Sequence, residues 1–372
     1  MRISYFEAEG FRNLSRISFT PDDGCTVICG RNAQGKTNLL EAMWVMCGCR
    51  SFRGAKEREY IPFGGGRVHL GMRVQSSVRE SRAEYSLTPQ GRSITLNGVP
   101  VKGTSALFEL LRCIAFTPTD SELVRGAPEG RRTFLDLAIS QVQPDMVAYL
   151  RRHINVLHQR NSLLRSLSEG GASDSRLSTL RVWDAQLSQL GAVISHRRYD
   201  YLKRLAKVCA ELYGTISGGS EKLELKYRST VYRREELEAG LDDTSAGIYL
   251  SRLEANRDYD IRTGTTHSGV SRDDIVITID GVPAREFASQ GQVKSAALVM
   301  RLAQARLCSE KQGELPVIFL DDVMGELDER RQRFVFDLIR DMQVFITTPS
   351  EASLIPELKG KLVRMENGCL LE

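Results

Sequence analysis

Apolar and polar residues are distributed differently in the three thirds of the chain. In the first third, the apolar run at 25–29 predicts a buried strand, and apolar residues recur at helical spacing over 39–47. Apolar positions alternate between 68 and 101, where Asn97-Gly98 lies between two short apolar runs and predicts a β-hairpin. The beginning of the chain therefore predicts strands and turns around one helix.

The middle of the chain has the pattern of long, charged helices. Helical spacing over 141–167 and 176–213 is interrupted at 168–175 by a segment rich in Gly and Ser. This pattern predicts two antiparallel helices joined by a loop. A strand is predicted at 223–231 and a further helix at 235–254.

Strands and helices alternate again in the last third. The strand predicted at 275–279 is followed by the hairpin turn Asp280-Gly281, and the later elements are a helix at 291–307, a strand at 317–320, a helix at 329–341 and a strand at 344–346. The predicted fold is α/β with an insertion. Its domains are a discontinuous α/β head, 1–115 with 263–372, and a mainly helical insert, 116–262.

Composition adds little to this interpretation. The 372 residues carry 51 Lys and Arg against 47 Asp and Glu, and the net charge of +4 is too small to indicate nucleic-acid binding. Residues 1–14 lack the apolar core of a signal peptide, and no apolar run approaches the ~18 residues that span a bilayer. A cytoplasmic protein without membrane contact is expected. The eight cysteines form no CxxC pair, which favours buried thiols over a zinc site.

The strongest chemical motif follows the first buried strand. It matches G-x-x-x-x-G-K-[ST] and consists of Gly30, Arg31, Asn32, Ala33, Gln34, Gly35, Lys36 and Thr37. The glycines let backbone N–H groups approach phosphate oxygens at the start of a helix. Lys36 supplies a positive charge to the β- and γ-phosphates, and the Thr37 hydroxyl is a ligand for Mg²⁺. The alternative is an ordinary Gly-rich turn between a strand and a helix.

A pair of carboxylates completes the expected site. Asp321 and Asp322 follow the apolar run 317–320, so Asp321 is predicted at the sheet edge as a Mg²⁺ ligand and Asp322 as the base that polarises the attacking water. The alternative is that both acids cap the next helix. Asp321 lies 321 − 36 = 285 residues after Lys36, far more than in small GTPases or nucleotide kinases. This separation indicates an ATPase with an insertion between its lobes.

Such ATPases need a Ser/Gly/Gln turn at the start of a helix, and the stretch 288–292 provides one. The chain at this point resembles the RecF family of bacterial recombination-repair ATPases, which are related to SMC and ABC ATPase heads. The matching stretches are GFRNL at 10–14, GRNAQGKTNLLEA at 30–42, FTPTDSELVRGAPEGRRTFLD at 116–136, SRDD at 271–274, ASQGQ at 288–292, FLDDVMGELDERR at 319–331 and VFITT at 344–348. They extend over almost the whole chain.

The resemblance implies an ATP-dependent homodimer with ATP and Mg²⁺ as cofactors. A signature motif would close in trans over ATP held by the partner's phosphate loop, and Arg12 and Asn13 would lie near the nucleotide. The residues implied for the signature motif are Ser289, Gln290, Gly291 and Gln292, and those implied for the following D-loop are Gly325, Glu326, Leu327 and Asp328. Thr347 or Thr348 stands where transporters have a switch histidine.

The sequence departs from related patterns at three places. Asp322 replaces the catalytic glutamate of most of the superfamily, which predicts a weak, slow ATPase. Gly325 replaces a serine, Val270-Ser271 replaces Pro-His before Arg272, and no glutamine is identified as a Q-loop.

DNA is the implied partner, as single or double strands bound without sequence preference. The candidate contacts are Arg131, Arg132, Arg151, Arg152 and Arg160, although solvated helix faces and salt bridges explain them equally well. The resemblance further implies work with RecR and RecO in RecA loading, and roles in replication recovery and SOS induction. The alternative functions are an SMC-like chromosome-structure or nuclease-partner ATPase, which the short insert disfavours, and a transporter ATPase subunit.

Overall fold

The structure is a computed structural model that describes residues 1–170, 173–310, 314–349 and 360–371. It forms two compact units: unit 1 comprises Met1–Ser121 and Lys294–Glu372, and unit 2 comprises Glu122–Val293. Part of the loop predicted at 168–175 lies outside the described residues.

The strands are β1 (Arg2–Phe11), β2 (Leu14–Phe19), β3 (Cys25–Cys29), β4 (Val68–Gln75), β5 (Glu80–Thr88), β6 (Gly91–Leu96), β7 (Val99–Pro100), β8 (Cys113–Phe116), β9 (Leu223–Arg228), β10 (Asp274–Ile279), β11 (Val282–Pro283), β12 (Val317–Asp321), β13 (Val344–Thr348), β14 (Lys361–Glu366) and β15 (Cys369–Leu371). The helices are α1 (Lys36–Met46), α2 (Leu107–Leu110), α3 (Glu122–Arg125), α4 (Pro128–Val142), α5 (Met146–Gly170), α6 (Asp174–Ser217), α7 (Arg234–Glu238), α8 (Ser245–Ala255), α9 (Arg257–Thr263), α10 (Ala284–Phe287), α11 (Gln290–Glu310) and α12 (Glu329–Ile339).

The described part of unit 1 contains two sheets. One is antiparallel with the order β2-β1-β4-β5-β6-β7, and the other has the order β15-β14-β3-β13-β12-β8. In the second sheet, all pairs from β14 to β8 are parallel, and every residue of β3, β12 and β13 is buried. Parallel strands covered on both faces read as continuous apolar runs, which is why the sequence identified these three strands.

Unit 2 is built on the antiparallel helices α5 and α6. Asp145, next to the start of α5, pairs with Arg197 of α6, and Arg160 pairs with Asp184 nearer the hairpin tip. Tyr249 of α8 packs so closely on α6 that a Cβ at Gly191 would lie 2.2 Å from its ring. The Tyr249 hydroxyl also accepts a hydrogen bond from the Val270 N–H (3.1 Å). The long helical hairpin predicted from the sequence is confirmed.

Both predicted hairpin turns are also present. Asn97 and Asp280 have φ of 52°, and Gly98 and Gly281 have φ of 79°, the left-handed pair that a two-residue hairpin turn requires. One predicted helix is wrong, because the stretch 235–254 is divided into α7 and α8. Gly240 interrupts it with φ of 88°, and the Asp242 side chain accepts the N–H groups of Thr244 and Ser245.

The unit boundaries differ from the predicted domains. The predicted insert ends at residue 262, whereas unit 2 continues to Val293. The reason is the pairing of β10 with β9, in which Asp274 stands opposite Arg228 and Ile279 opposite Leu223. This pairing joins residues about 50 positions apart, and helical or strand periodicity carries no information about such partners.

His153 of α5 is expected to make unit 2 sensitive to acid. Burial, together with the positive charge of Arg198, lowers the pKa of His153 to about 4, whereas in the unfolded chain it titrates near 6.5. As the pH falls from about 6.5 to 4, His153 therefore binds a proton in the unfolded chain but stays neutral in the folded protein. Folding stability should decrease over that window by up to about 3 kcal/mol, and be unaffected by this group above it.

Urea unfolding at several pH values between 7 and 4 measures this effect. His153→Gln should lose less stability with falling pH than the wild type. The exposed His158 of the same helix is the matched control, and His158→Gln should follow the wild type. Equal pH dependence of His153→Gln and the wild type would contradict the assignment.

Candidate nucleotide-binding site

The predicted phosphate loop connects β3 to α1 in unit 1. Ala33 and Gly35 have φ of 66° and 106°, so the chain turns sharply before the helix begins. Lys36 is 4% exposed, and its Nζ donates to the carbonyl oxygens of Gly30 (2.7 Å) and Arg31 (3.1 Å). These bonds use two of the three ammonium protons. The lysine therefore holds the loop closed on itself and retains one donor for an anion.

The C-terminal hairpin supports this loop. The Gln34 side-chain oxygen accepts the N–H of Asn367 (2.5 Å), and the Gln34 carbonyl accepts the N–H of Gly368 (3.0 Å). A Cβ at Gly30 would lie 2.4 Å from the carbonyl oxygen of Met365. Glycine at position 30 is therefore required by the packing of β14, in addition to any contact with a ligand.

Arg12 and Asn13 are both placed beside the loop and its helix. Arg12 forms a bidentate ion pair with the fully buried Glu41 of α1, with Nε 2.7 Å from one carboxylate oxygen and the terminal nitrogen 3.0 Å from the other. Asn13 accepts a hydrogen bond from Asn38 (2.6 Å) and contacts the Ala33 carbonyl (3.5 Å). Arg12 thus anchors α1, while Asn13 contacts the loop directly.

The carboxylate Asp321 lies at the end of β12 and receives two hydroxyl donors. Thr37 from α1 and Thr347 from β13 each donate to its Oδ1 at 2.9 Å. The parallel register, which places Asp321 opposite Thr347, explains the second contact. Burial raises the pKa of Asp321, and the two hydroxyl groups partly oppose this effect. The structure therefore brings together Thr37 and Asp321, which the sequence places 284 positions apart.

Asp322 has an unusual backbone and an unpaired oxygen. Its φ is 53°, and its N–H donates to the Thr347 hydroxyl at 2.9 Å. Its Oδ1 is buried and has no hydrogen-bond partner among the described residues. A buried carboxylate oxygen without a donor is costly, so this atom is suited to accept a proton or a hydrogen bond from a bound water.

Sequence reasoning named Thr347 only as one of two residues at the position of a transporter switch histidine and did not connect it with the two acids. Its hydroxyl accepts from the Asp322 N–H and donates to Asp321, so it connects the two acids. The available sequence feature was a threonine at the end of a buried apolar run, adjacent in a parallel sheet to the acidic strand. Strand order is needed to use that feature, and periodicity does not provide it.

The turn that follows β8 contains no glutamine. β8 neighbours β12, with Phe116 opposite Leu320, so the turn Thr117–Ser121 follows at the same edge as Asp321. Asp120 accepts the Thr117 N–H (3.0 Å) and pairs with Arg301 (2.7 Å).

The predicted signature motif lies in unit 2 at the start of α11. The Ser289 N–H donates to the Gln292 side-chain oxygen (2.8 Å), and the Gln292 N–H donates to the Ser289 hydroxyl (3.2 Å). This reciprocal arrangement is a capping box, which leaves the proton of the exposed Ser289 hydroxyl for another acceptor. Gln290 and Gly291 form the exposed first turn of the helix.

The predicted D-loop lies in unit 1 before α12. Asp328 caps that helix by accepting the Arg331 N–H (2.9 Å), which lowers the pKa of Asp328. Glu326 pairs with Lys294 (2.8 Å). A Cβ at Gly325 would meet nothing within 4 Å, so the glycine is not required by packing.

Two of the candidate DNA contacts are wrong. Arg160 is 0% exposed and pairs with Asp184 and Asp260, and Arg131 is 4% exposed and pairs with Asp274 at 2.7 Å. A buried guanidinium committed to carboxylates is unable to reach a phosphate.

The other three arginines differ from these two. Arg132 is half-buried and donates to the Asp273 carbonyl (2.9 Å), whereas Arg151 and Arg152 of α5 are exposed. Of the five candidate arginines, two are therefore in structural ion pairs, one donates to a backbone carbonyl, and two are exposed.

The fold and the site together define a P-loop ATPase head of the ABC and SMC class. The family model described as "RecF/RecN/SMC N terminal domain" matches residues 2–367. SMC head structures have a TM-score of 0.54 at 15% identity, covering 100% of this chain and 96% of the SMC chain in one case, which shows the shared fold. Among the described residues, no helix is long and apolar enough to cross a membrane.

More similar proteins identify the family within this class. Proteins named "DNA replication and repair protein RecF" are 38% identical in Lactobacillus johnsonii (94% of this chain, 92% of the relative) and 36% identical in Desulforudis audaxviator (94% of each). A structure described as the recombination mediator protein RecF-ATP in the RecFOR pathway has a TM-score of 0.90 at 30% identity, covering 99% of this chain and 96% of that one. The chain belongs to the RecF family of DNA replication and repair proteins.

Proposed function

We propose that this protein is an ATP-gated DNA clamp of recombinational repair. The observation that carries the proposal is the meeting of Thr37, Asp321, Thr347 and Asp322 beside a closed phosphate loop. ATP as the nucleotide is supported by the RecF structure described with ATP and by a second one described with ATPrS.

The described residues fit Mg²⁺ only if a bound nucleotide supplies further ligands. They contain no group of three or more His, Cys, Asp or Glu able to hold a metal ion. Mg²⁺ is commonly held by one or two carboxylates together with substrate phosphates, and Thr37 and Asp321 are the side chains that would hold it. The ion would neutralise charge on the β- and γ-phosphates.

The protein residues have separate roles in this mechanism. Lys36 and the loop N–H groups bind the phosphates, and the unpaired Oδ1 of Asp322 accepts the proton of the attacking water. The Thr347 hydroxyl holds the Asp322 backbone in place by accepting the Asp322 N–H. Turnover is slow because an aspartate reaches less far than a glutamate. The hydrolysis of ATP serves to release the clamp.

ATP would close a homodimer in trans. The exposed Ser289 hydroxyl and the backbone of Gln290 and Gly291 would donate to ATP held by the partner subunit, and the segment 325–328 would face the same interface. The helix dipole of α11 favours negative charge at this end.

The closed dimer would hold single- or double-stranded DNA through phosphates, with Arg151 and Arg152 as the candidate contacts. Such binding is independent of sequence and weakens steeply with salt. Work with RecR and RecO in RecA loading, replication recovery and SOS induction belongs to the same proposal.

Light scattering with and without ATP–Mg²⁺ tests the clamp. The wild type should change from monomer to dimer when ATP is added, while Lys36→Arg and Ser289→Arg should stay monomeric. Glu235→Ala, an exposed change in unit 2, is the control and should dimerise normally. ATP binding without any change in mass would reject the trans mechanism.

Thr347→Val should lower ATP turnover about tenfold, because it removes a hydroxyl that bonds both acids and leaves the Asp322 N–H without its partner. Nucleotide affinity should change less than threefold, since the phosphate loop is untouched. Thr347→Ser keeps the hydroxyl and should retain most of the turnover. Steady-state phosphate release together with nucleotide titration separates the two effects, and equal losses in the Val and Ser variants would rule out the hydroxyl as the cause.

A further inference from the structure

The Gln292 side chain has a second hydrogen bond that the capping box does not require. While its oxygen faces the Ser289 N–H, its Nε2 donates to Glu221 Oε1 at 2.9 Å. The other carboxylate oxygen of Glu221 accepts the hydroxyl of Tyr213, in the last turns of α6, at 2.8 Å. A continuous chain of hydrogen bonds therefore joins the Ser289 turn to the longest helix of unit 2.

This chain determines which way the Gln292 amide points. A backbone N–H only donates, and an ionised carboxylate only accepts. With Ser289 on one side and Glu221 on the other, the amide satisfies both neighbours in one orientation alone. The reversed amide would place two donors together at Ser289 and two acceptors together at Glu221.

Glu221 is itself held in position. The N–H of the next residue, Lys222, donates to the Asp280 side chain at 2.7 Å, and the Asp280 N–H donates back to the Lys222 carbonyl at 2.9 Å. Asp280 belongs to the turn between β10 and β11, a two-residue hairpin with little freedom. The backbone next to the Glu221 carboxylate is therefore held in place by the hairpin turn.

We propose that Glu221 is a positioning residue for the signature turn, acting through Gln292 and linked by Tyr213 to α6. It keeps the Ser289 N–H and hydroxyl in one arrangement before the partner's nucleotide arrives, so that closure needs no reordering. The inference rests on the proposed trans function of Ser289. It adds the helical hairpin of unit 2 to the elements that determine how readily ATP closes the dimer.

Two measurements on Glu221→Ala test the proposal. In the ATP-free protein, amide hydrogen exchange at Ser289 and Gln292 should become at least about tenfold faster, while exchange in α1 is unchanged. With ATP–Mg²⁺, sedimentation should give a dimer dissociation constant raised about tenfold, because a hydrogen bond to a charged group is lost. Nucleotide affinity of the phosphate loop should stay the same.

Three further variants serve as comparisons. Glu221→Gln keeps an acceptor toward Gln292 and should weaken the dimer less than about threefold. Tyr213→Phe should have an effect between those of Gln and Ala at position 221. Glu235→Ala removes an exposed carboxylate of unit 2 and should match the wild type in both measurements.

The outcomes separate this inference from the proposed function. Unchanged exchange at Ser289 in Glu221→Ala would overturn the inference whatever the dimer does. Faster exchange with a normal dimer constant would also overturn it, since the turn would then need no positioning. If the wild type itself fails to dimerise with ATP, the trans function is wrong, and the inference falls with it.

Discussion

Asp322→Asn is expected to stop ATP turnover while the ATP-bound dimer still forms. Asparagine tolerates the left-handed backbone at this position (φ 53°) and keeps the N–H that bonds Thr347. It differs in basicity, since an amide oxygen does not take a proton from water at neutral pH. Losing a general base typically costs about 10²–10⁴ in rate, so phosphate release should fall at least about 100-fold.

The same variant should trap the clamp on DNA. Because ATP is bound but not hydrolysed, the dimer should persist in light scattering, and release from labelled DNA after a chase with unlabelled DNA should slow in proportion to the loss of turnover. Asp337→Asn is a matched control, since its side chain is 68% exposed on α12, and its turnover should stay within about twofold of the wild type. A loss of less than tenfold in Asp322→Asn would show that another group is the base.

Arg160→Ala is expected to produce the largest loss of stability. Its guanidinium is fully buried between Asp184 (2.7 Å) and Asp260 (2.8 Å), and it also donates to the Thr266 hydroxyl (2.7 Å). Removing it leaves the buried Asp260 without its arginine, and Asp184 with only the more distant Arg257 (3.3 Å) as a guanidinium partner. Breaking a buried ion pair costs about 3–5 kcal/mol, and urea unfolding should show a loss of at least that size.

Arg152→Ala is the contrasting change, on the exposed face of the same helix. Its unfolding free energy should stay within about 0.5 kcal/mol of the wild type. If Arg151 and Arg152 contact phosphates, the double alanine variant should reduce the slope of log affinity against log salt by about 2. Arg160→Ala, measured where it remains folded, should leave that slope unchanged. A changed slope in Arg160→Ala alone would contradict its structural assignment.

The phosphate loop was predictable because its chemistry is local. Gly30, Gly35, Lys36 and Thr37 lie within eight consecutive positions, and a strand before them with a helix after them is visible in the apolar pattern. The same holds for the two hairpin turns, where Asn97-Gly98 and Asp280-Gly281 each specify their own backbone conformation.

The arginines were less predictable, since a charged residue has the same appearance in sequence whether it faces water or a carboxylate. Arg131 pairs with Asp274, which lies 143 residues away in the chain, and Arg160 pairs with Asp260, which lies 100 residues away. The family resemblance rests separately on the stretches 116–136 and 271–274. The Arg131–Asp274 ion pair shows that these two stretches are in contact.

The amino-acid sequence was enough to predict the phosphate loop, the acidic strand end, the helical hairpin and the family resemblance, because each depends on residues close together in the chain or on periodic burial. The interaction partners became visible only in the folded protein: Thr347 between the two acids, Arg160 between two aspartates, and Glu221 behind Gln292. A hydrogen bond or ion pair depends on the distance between atoms in space. For residues far apart in the chain, strand order and helix packing set that distance.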